Sequence, residues 1–173
     1  NSIDLVIYSP PFCGLYNYSS DHRDFSNCES RDQFIQQYEF LISELARATK
    51  PGRINAVHVE DIHDNTGRLW DFPGEVIRIH EKHGFEYHNR ITIWKEPLKV
   101  RMRTMVQSLM HKFIVEDATK CFTAMPDYVL IFKKRGENTV PVVHPNGLND
   151  YEYFGSTPFL EAHKETYGNY VDF

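Results

Sequence analysis

Asp4-Leu5-Val6-Ile7-Tyr8-Ser9-Pro10-Pro11-Phe12 is the stretch that decides the fold. Residues 5–8 form a short, unbroken apolar run, the pattern of a buried parallel strand. An acidic residue leads the run. Pro10 and Pro11 end it, because neither has an N–H to offer a neighbouring strand. Residues 13–30 then carry Gly14, Asn17, Ser19, Ser20, Asp21, Asn27 and Ser30 and read as a long loop, a length that favours a functional role.

Working outward, Ser30 reads as a helix N-cap with Gln33 completing a capping box. Phe34, Tyr38, Leu41, Leu45 and Ala48 recur at spacings of three and four, so residues 31–49 form an amphipathic helix that Lys50-Pro51-Gly52 ends. Residues 54–59 are a second strand. Residues 72–83 are a second helix, with Val76, Ile77 and Ile79 near its buried side and Gly84 closing it. Residues 87–94 and 128–133 are the third and fourth strands. Between these two strands lies an insert, residues 95–121, basic in its first two thirds. This alternation predicts an α/β domain with a mainly parallel sheet and helices on its faces. Residues 136–173 hold Pro141, Pro145, Gly147, Gly155, Pro158 and Gly168 and read as an irregular extension with one short helix near 158–166.

The chain has 173 residues, which suits one domain with a real core. Its net charge of −5 excludes a uniformly basic nucleic-acid binder but not a local basic stripe. Cys13, Cys28 and Cys121 are widely spaced and form no CxxC pair, which argues against a disulfide framework or a structural zinc site and fits a reducing cytoplasm. No apolar run reaches the roughly 18 residues of a membrane span, and no signal peptide opens the sequence. The chain starts without Met, directly before its first strand, which suggests a missing natural N-terminus.

Ligands of open α/β sheets bind outside the carboxyl ends of the strands, where Ser9-Pro10-Pro11-Phe12 stands. With its context, this motif resembles that of the DNA amino-methyltransferases, the family that modifies cytosine N4 or adenine N6. Their catalytic motif is Asp, Asn or Ser, then Pro-Pro, then an aromatic. Lys50-Pro51-Gly52 before a strand is similar to the family too. So is Ile91-Thr92-Ile93-Trp94-Lys95-Glu96-Pro97, followed after an insert by Asp127-Tyr128-Val129-Leu130-Ile131-Phe132-Lys133-Lys134. The resemblance covers residues 1–135. It implies a Rossmann-like methyltransferase fold, here a partial, mostly parallel sheet with an antiparallel last strand.

The resemblance also implies roles. Ser9 and the Pro10 carbonyl accept hydrogen bonds from the exocyclic amino group, aiming its lone pair at the methyl group of S-adenosylmethionine, and transfer is direct. Pro10 and Pro11 hold the acceptors rigid, and Phe12 stacks on a base flipped out of DNA. A serine in first position favours cytosine N4 over adenine N6. Tyr16 and Tyr18 are candidates to line the base pocket, with core packing or plain exposure as the alternative. Restriction-modification in a bacterial or phage-host cytoplasm is the setting implied.

Lys99, Arg101, Arg103 and Lys112 form a basic stripe that fits DNA phosphates, a solvated basic face being the alternative. Met102, Met105 and Met110 interleave with it and are expected to pack inward. His58-Val59-Glu60-Asp61-Ile62-His63-Asp64 suggests a metal cluster, yet strand alternation puts His58 and Glu60 on one face and Asp61 on the other. A polar strand end lining the cleft is the better reading, and no metal is expected. Trp94 and Lys95 end another strand and fit a cleft or a structural hydrogen bond. Cys13 follows Pro-Phe rather than Pro, so it does not match the nucleophile of cytosine C5 enzymes.

No glycine-rich strand-to-helix turn of the Phe-x-Gly-x-Gly kind stands in the 173 residues. That turn is where the resembled family holds S-adenosylmethionine, so the main cofactor motif is expected in a missing C-terminal half, and the chain alone is expected to bind the cofactor poorly. An apolar sheet edge should then be exposed, and self-association into a homo-oligomer is expected. The competing reading is a non-enzymatic DNA-binding or assembly module that keeps the fold.

Overall fold

The structure, a computed structural model of the chain, describes residues 1–11, 18–21, 23–63, 68–104, 111–120 and 126–143, with backbone alone for 101, 103, 104 and 120. The chain divides into two units, residues 1–138 and 139–173. The first begins with β1 (Ile3–Tyr8), a 3-10 turn (Phe25–Asn27), α1 (Arg31–Ala48) and β2 (Thr49–Glu60). A small hairpin, β3 (Ile62–His63) and β4 (Leu69–Trp70), leads to α2 (Phe72–Lys82) and β5 (Phe85–Ile93). The insert holds α3 (Pro97–Thr104), α4 (His111–Asp117) and a 3-10 turn (Ala118–Lys120), and β6 (Asp127–Lys134) follows.

The four-stranded sheet has the order β1-β2-β6-β5. β1 is parallel to β2, and β6 runs antiparallel to both β2 and β5. Three strands therefore point one way and the last strand returns between two of them. This is the mostly parallel sheet with an antiparallel last strand that the sequence suggests. Its register brings Glu60 and Ile93 level with Asp127, so the carboxyl ends of β1, β2 and β5 meet the start of β6 at one end of the sheet.

Alternation decides which face is covered. Val57 and Val59 of β2 and Leu130 and Phe132 of β6 pack with Phe34, Tyr38 and Ile42 of α1 and Phe72, Val76 and Ile79 of α2. Both helices thus lie on one face. The opposite face leaves Leu5 56% and Ile7 73% exposed, together with Ile91 and Ile93. The expectation that β1 is buried is corrected here. Among the described residues β1 is an edge strand, with Ile3, Val6 and Tyr8 half-buried and Tyr8 packed against the core.

Local chemistry explains the element ends. Ser30 Oγ accepts from the Gln33 N–H at 3.1 Å, while the Gln33 side chain takes the Glu29 N–H at 2.8 Å, one residue earlier than a strict capping box. Lys50-Pro51-Gly52 does not simply end α1, which stops at Ala48. These residues loop out inside β2, where the register jumps from Ile3–Thr49 to Leu5–Ile54. Gly52 has φ 73°, a region that only glycine enters at little cost. Asp4 closes the bulge by pairing with Lys50 at 2.7 Å and Arg53 at 3.1 Å. Met102 is exposed and does not pack inward. Val100 takes the buried side of α3, and two residues on the helix has turned by about 200°. Met105 and Met110 lie outside the described residues, as does the helix expected near 158–166.

His80 is fully buried and stacks on Phe132, 3.9 Å between centroids. Its Nδ1 donates to the Val76 carbonyl at 2.8 Å, leaving Nε2 to accept from Asn55 at 3.3 Å. Burial pushes its pKa down to about 4, against the pull of the Val76 hydrogen bond and with help from His83. The unfolded chain therefore takes up this proton first as pH falls. The stability that neutral His80 contributes is complete above about pH 6.5 and shrinks as pH drops toward 4, by about 3 kcal/mol in all. Urea unfolding at pH 7 and pH 4.5 is expected to show this loss in the parent protein and a smaller one in His80→Gln. An equal loss in both contradicts the assignment.

Candidate active site

Tyr8 ends β1 and anchors its exit, its hydroxyl meeting that of buried Tyr38 on α1 at 2.7 Å. Burial raises the pKa of both phenols, so this pair stays neutral and structural. Ser9 follows, exposed, and Pro10 turns in and is buried, with Pro11 half-buried. The Ser9 hydroxyl donates to the His58 carbonyl at 3.1 Å. Its proton is thereby engaged, and its remaining lone pairs can only accept. Phe12 and Tyr16 lie outside the described residues. Tyr18 is exposed, its N–H on Ser26 Oγ at 3.1 Å.

Beside Ser9 the strand ends bring together side chains that the sequence reading kept apart. His58 and Glu60 do share one face, as alternation requires, and Asp127 of β6 and Lys95 beyond β5 join them. Lys95 Nζ contacts Glu60 and lies 2.6 Å from Asp127 Oδ1. His58 Nε2 lies 3.1 Å from Asp127 Oδ2. Burial, opposed by Lys95 and reinforced by Asp127, raises the pKa of Glu60. Burial acts the same way on Asp127, but hydrogen bonds from Lys95, Glu60 and His58 prevail and hold it below the usual carboxylate range. Asp61 stands apart from this group. Its pKa is raised by burial and by the nearby charge of Asp71.

Lys95 is thus an ion-pair partner rather than a free cleft residue. Asp127 had no role assigned from sequence. The signal was available, since an acidic residue leads this apolar strand as Asp4 leads the first. Lys95, Glu96, Lys99 and Val100 line a recess beside the ion cluster, whereas Lys112 on α4 is exposed and 3.9 Å from Glu116. The side chains of Arg101 and Arg103 are outside the description.

No curated protein sequence matches the chain. Solved structures do. TTHA0409 of Thermus thermophilus, assigned as a DNA modification methylase, shares 18% identity at a TM-score of 0.57, over 89% of this chain and 55% of that one. Its complex with S-adenosyl-L-methionine gives 17% and 0.56, over 89% and 57%. The cytosine-N4-specific PvuII DNA methyltransferase gives 14% and 0.53, over 89% and 56%. At these identities the likeness concerns the fold, which is the methyltransferase α/β fold. The chain spans little more than half the length of each. A family model of the N6/N4 methyltransferases, described as DNA methylase, matches residues 3–171. On that match, which takes in nearly the whole sequence, the chain belongs to the N6/N4 DNA methylase family.

Proposed function

We propose that this chain carries the target-base side of a DNA amino-methyltransferase active site, with Ser9 as the acceptor that orients the amino group. The observation that carries the reading is the Ser9 hydroxyl donating to His58. An exocyclic amino group is a poor nucleophile, its lone pair being delocalised into the ring. Two acceptors on its N–H groups, Ser9 Oγ and the Pro10 carbonyl, favour a tetrahedral nitrogen with a directed lone pair. Proline rings fix the backbone at 10 and 11 and spare the site that ordering cost. Phe12 stacks on the flipped base, and Tyr16 and Tyr18 border it. Lys99, Arg101, Arg103 and Lys112 contact phosphates. Serine at position 9 favours cytosine N4 over adenine N6.

Ser9 Oγ and the Pro10 carbonyl suit the methyl acceptor, an amino donor facing oxygen acceptors. S-adenosylmethionine supplies the methyl group. The glycine-rich turn expected to hold it does not occur in the sequence, so no residue of this chain is assigned to it. Residues 1–135, with the insert at 95–121, form the catalytic half in this reading, and residues 136–173 an extension. A further segment of the same protein completes the site and covers the exposed β1 edge. The test is labelled-methyl transfer to DNA by the full-length protein. Incorporation supports the reading, and its absence overturns it.

A further inference from the structure

The side chains of Lys95, Glu60 and Asp127 are 14%, 9% and 11% exposed. Three ions so far out of water persist only while each is paired, because desolvation costs several kcal/mol per ion. They come from separate elements, and Lys95 is their common partner. Beside the cluster stands His58, whose side chain is 38% exposed and whose ring meets Asp127. The same residue's carbonyl receives the Ser9 hydroxyl. His58 also lies one residue past the last β1–β2 pair, Tyr8 with Val57, so its backbone is held by β6, opposite Val129, and no longer by β1.

We propose that Asp127 and Lys95 are positioning residues for amino-methyl transfer. Lys95 fixes the Asp127 carboxylate, Asp127 fixes His58, and the His58 carbonyl turns the Ser9 proton away from the substrate. Glu60 completes the pairing of Lys95. The inference rests on the function proposed above and adds residues that touch neither base nor cofactor.

The experiment measures kcat and the KM for DNA in full-length protein carrying Asp127→Ala or Lys95→Met. Each is expected to lower kcat by about 100-fold, the effect of misplacing a reacting group by about 1 Å, with KM for DNA within about twofold of the parent. Asp127→Ala leaves Glu60 to pair Lys95, and if it does not fold, Lys95→Met carries the same comparison. The discriminating step repeats the change in a Ser9→Asn background. A carboxamide oxygen accepts without an orienting proton, so loss of Asp127 should cost less than about threefold there. A merely structural role costs the same factor in both backgrounds, and that result overturns the inference, as does a parent-like kcat in Asp127→Ala. A Ser9→Asn protein without transfer overturns it too, since lone-pair direction is then not what Ser9 supplies. If the parent protein itself does not methylate DNA, the proposed function falls first and this inference with it.

Discussion

Replacing Ser9 by alanine in the full-length protein is expected to lower kcat for methyl transfer by about 100- to 1,000-fold, the cost of removing one preorganised polar contact to the reacting group. The loss should fall on kcat rather than on the KM for DNA, because base stacking and phosphate contacts remain. Stability should hardly move. Ser9 is exposed, and its hydroxyl donates to a carbonyl near the strand end that water can satisfy. Ser9→Asn should recover part of the rate, because an amide oxygen also accepts. Steady-state kinetics beside a thermal melt separates these effects. Activity within twofold of the parent in Ser9→Ala removes Ser9 from the mechanism.

The largest effect on stability belongs to Phe34. It is fully buried, and its ring meets Phe25 at 6.3 Å, Tyr38 at 6.0 Å, Trp70 at 6.3 Å and Phe72 at 5.7 Å. One side chain therefore ties α1 to the 3-10 turn, the small hairpin and α2. Phe34→Ala removes the ring from all four partners, which cannot collapse together onto the void. The expected cost is about 3–5 kcal/mol, a large share of the roughly 5–15 kcal/mol that holds a domain folded. Urea unfolding followed by the fluorescence of nearby Trp70 reads it directly. A loss under about 1 kcal/mol shows that the helices are held on the sheet by something else.

The strands and both long helices were legible because each carries its own period. The spacing of Phe34, Tyr38 and Leu41 is helical, and the apolar runs at 5–8 and 128–132 are too short and too β-branched for anything but strands. Their ends came out within two residues except in β2, which begins at Thr49 rather than at 54. Placing β6 between β2 and β5 is different. Pairing is a long-range choice that no local pattern states, and only the resemblance supplied its antiparallel direction. An exposed apolar edge was expected, but its place on β1 was not read, for a related reason. A continuous apolar run reports that both faces avoid water in the whole assembly, not which neighbour does the covering. At the site, Ser9 was legible because a strand followed by two prolines must end there. The Lys95–Glu60–Asp127 cluster was not, since ion pairs across sheet strands depend on register. Lys95 and Glu60 are 35 positions apart, and the pairing of both strand ends with Asp127 brings them together. Phe12 and Tyr16 rest on the resemblance alone.

The central claim is that Ser9-Pro10-Pro11-Phe12 directs methyl transfer to an exocyclic amino group of DNA. Full-length protein incubated with DNA and methyl-labelled S-adenosylmethionine, followed by digestion and nucleoside chromatography, tests it most directly. The account predicts label in N4-methyldeoxycytidine. Label in N6-methyldeoxyadenosine keeps the amino-transfer chemistry and corrects the base. Label in 5-methyldeoxycytidine, or none in DNA, contradicts the account.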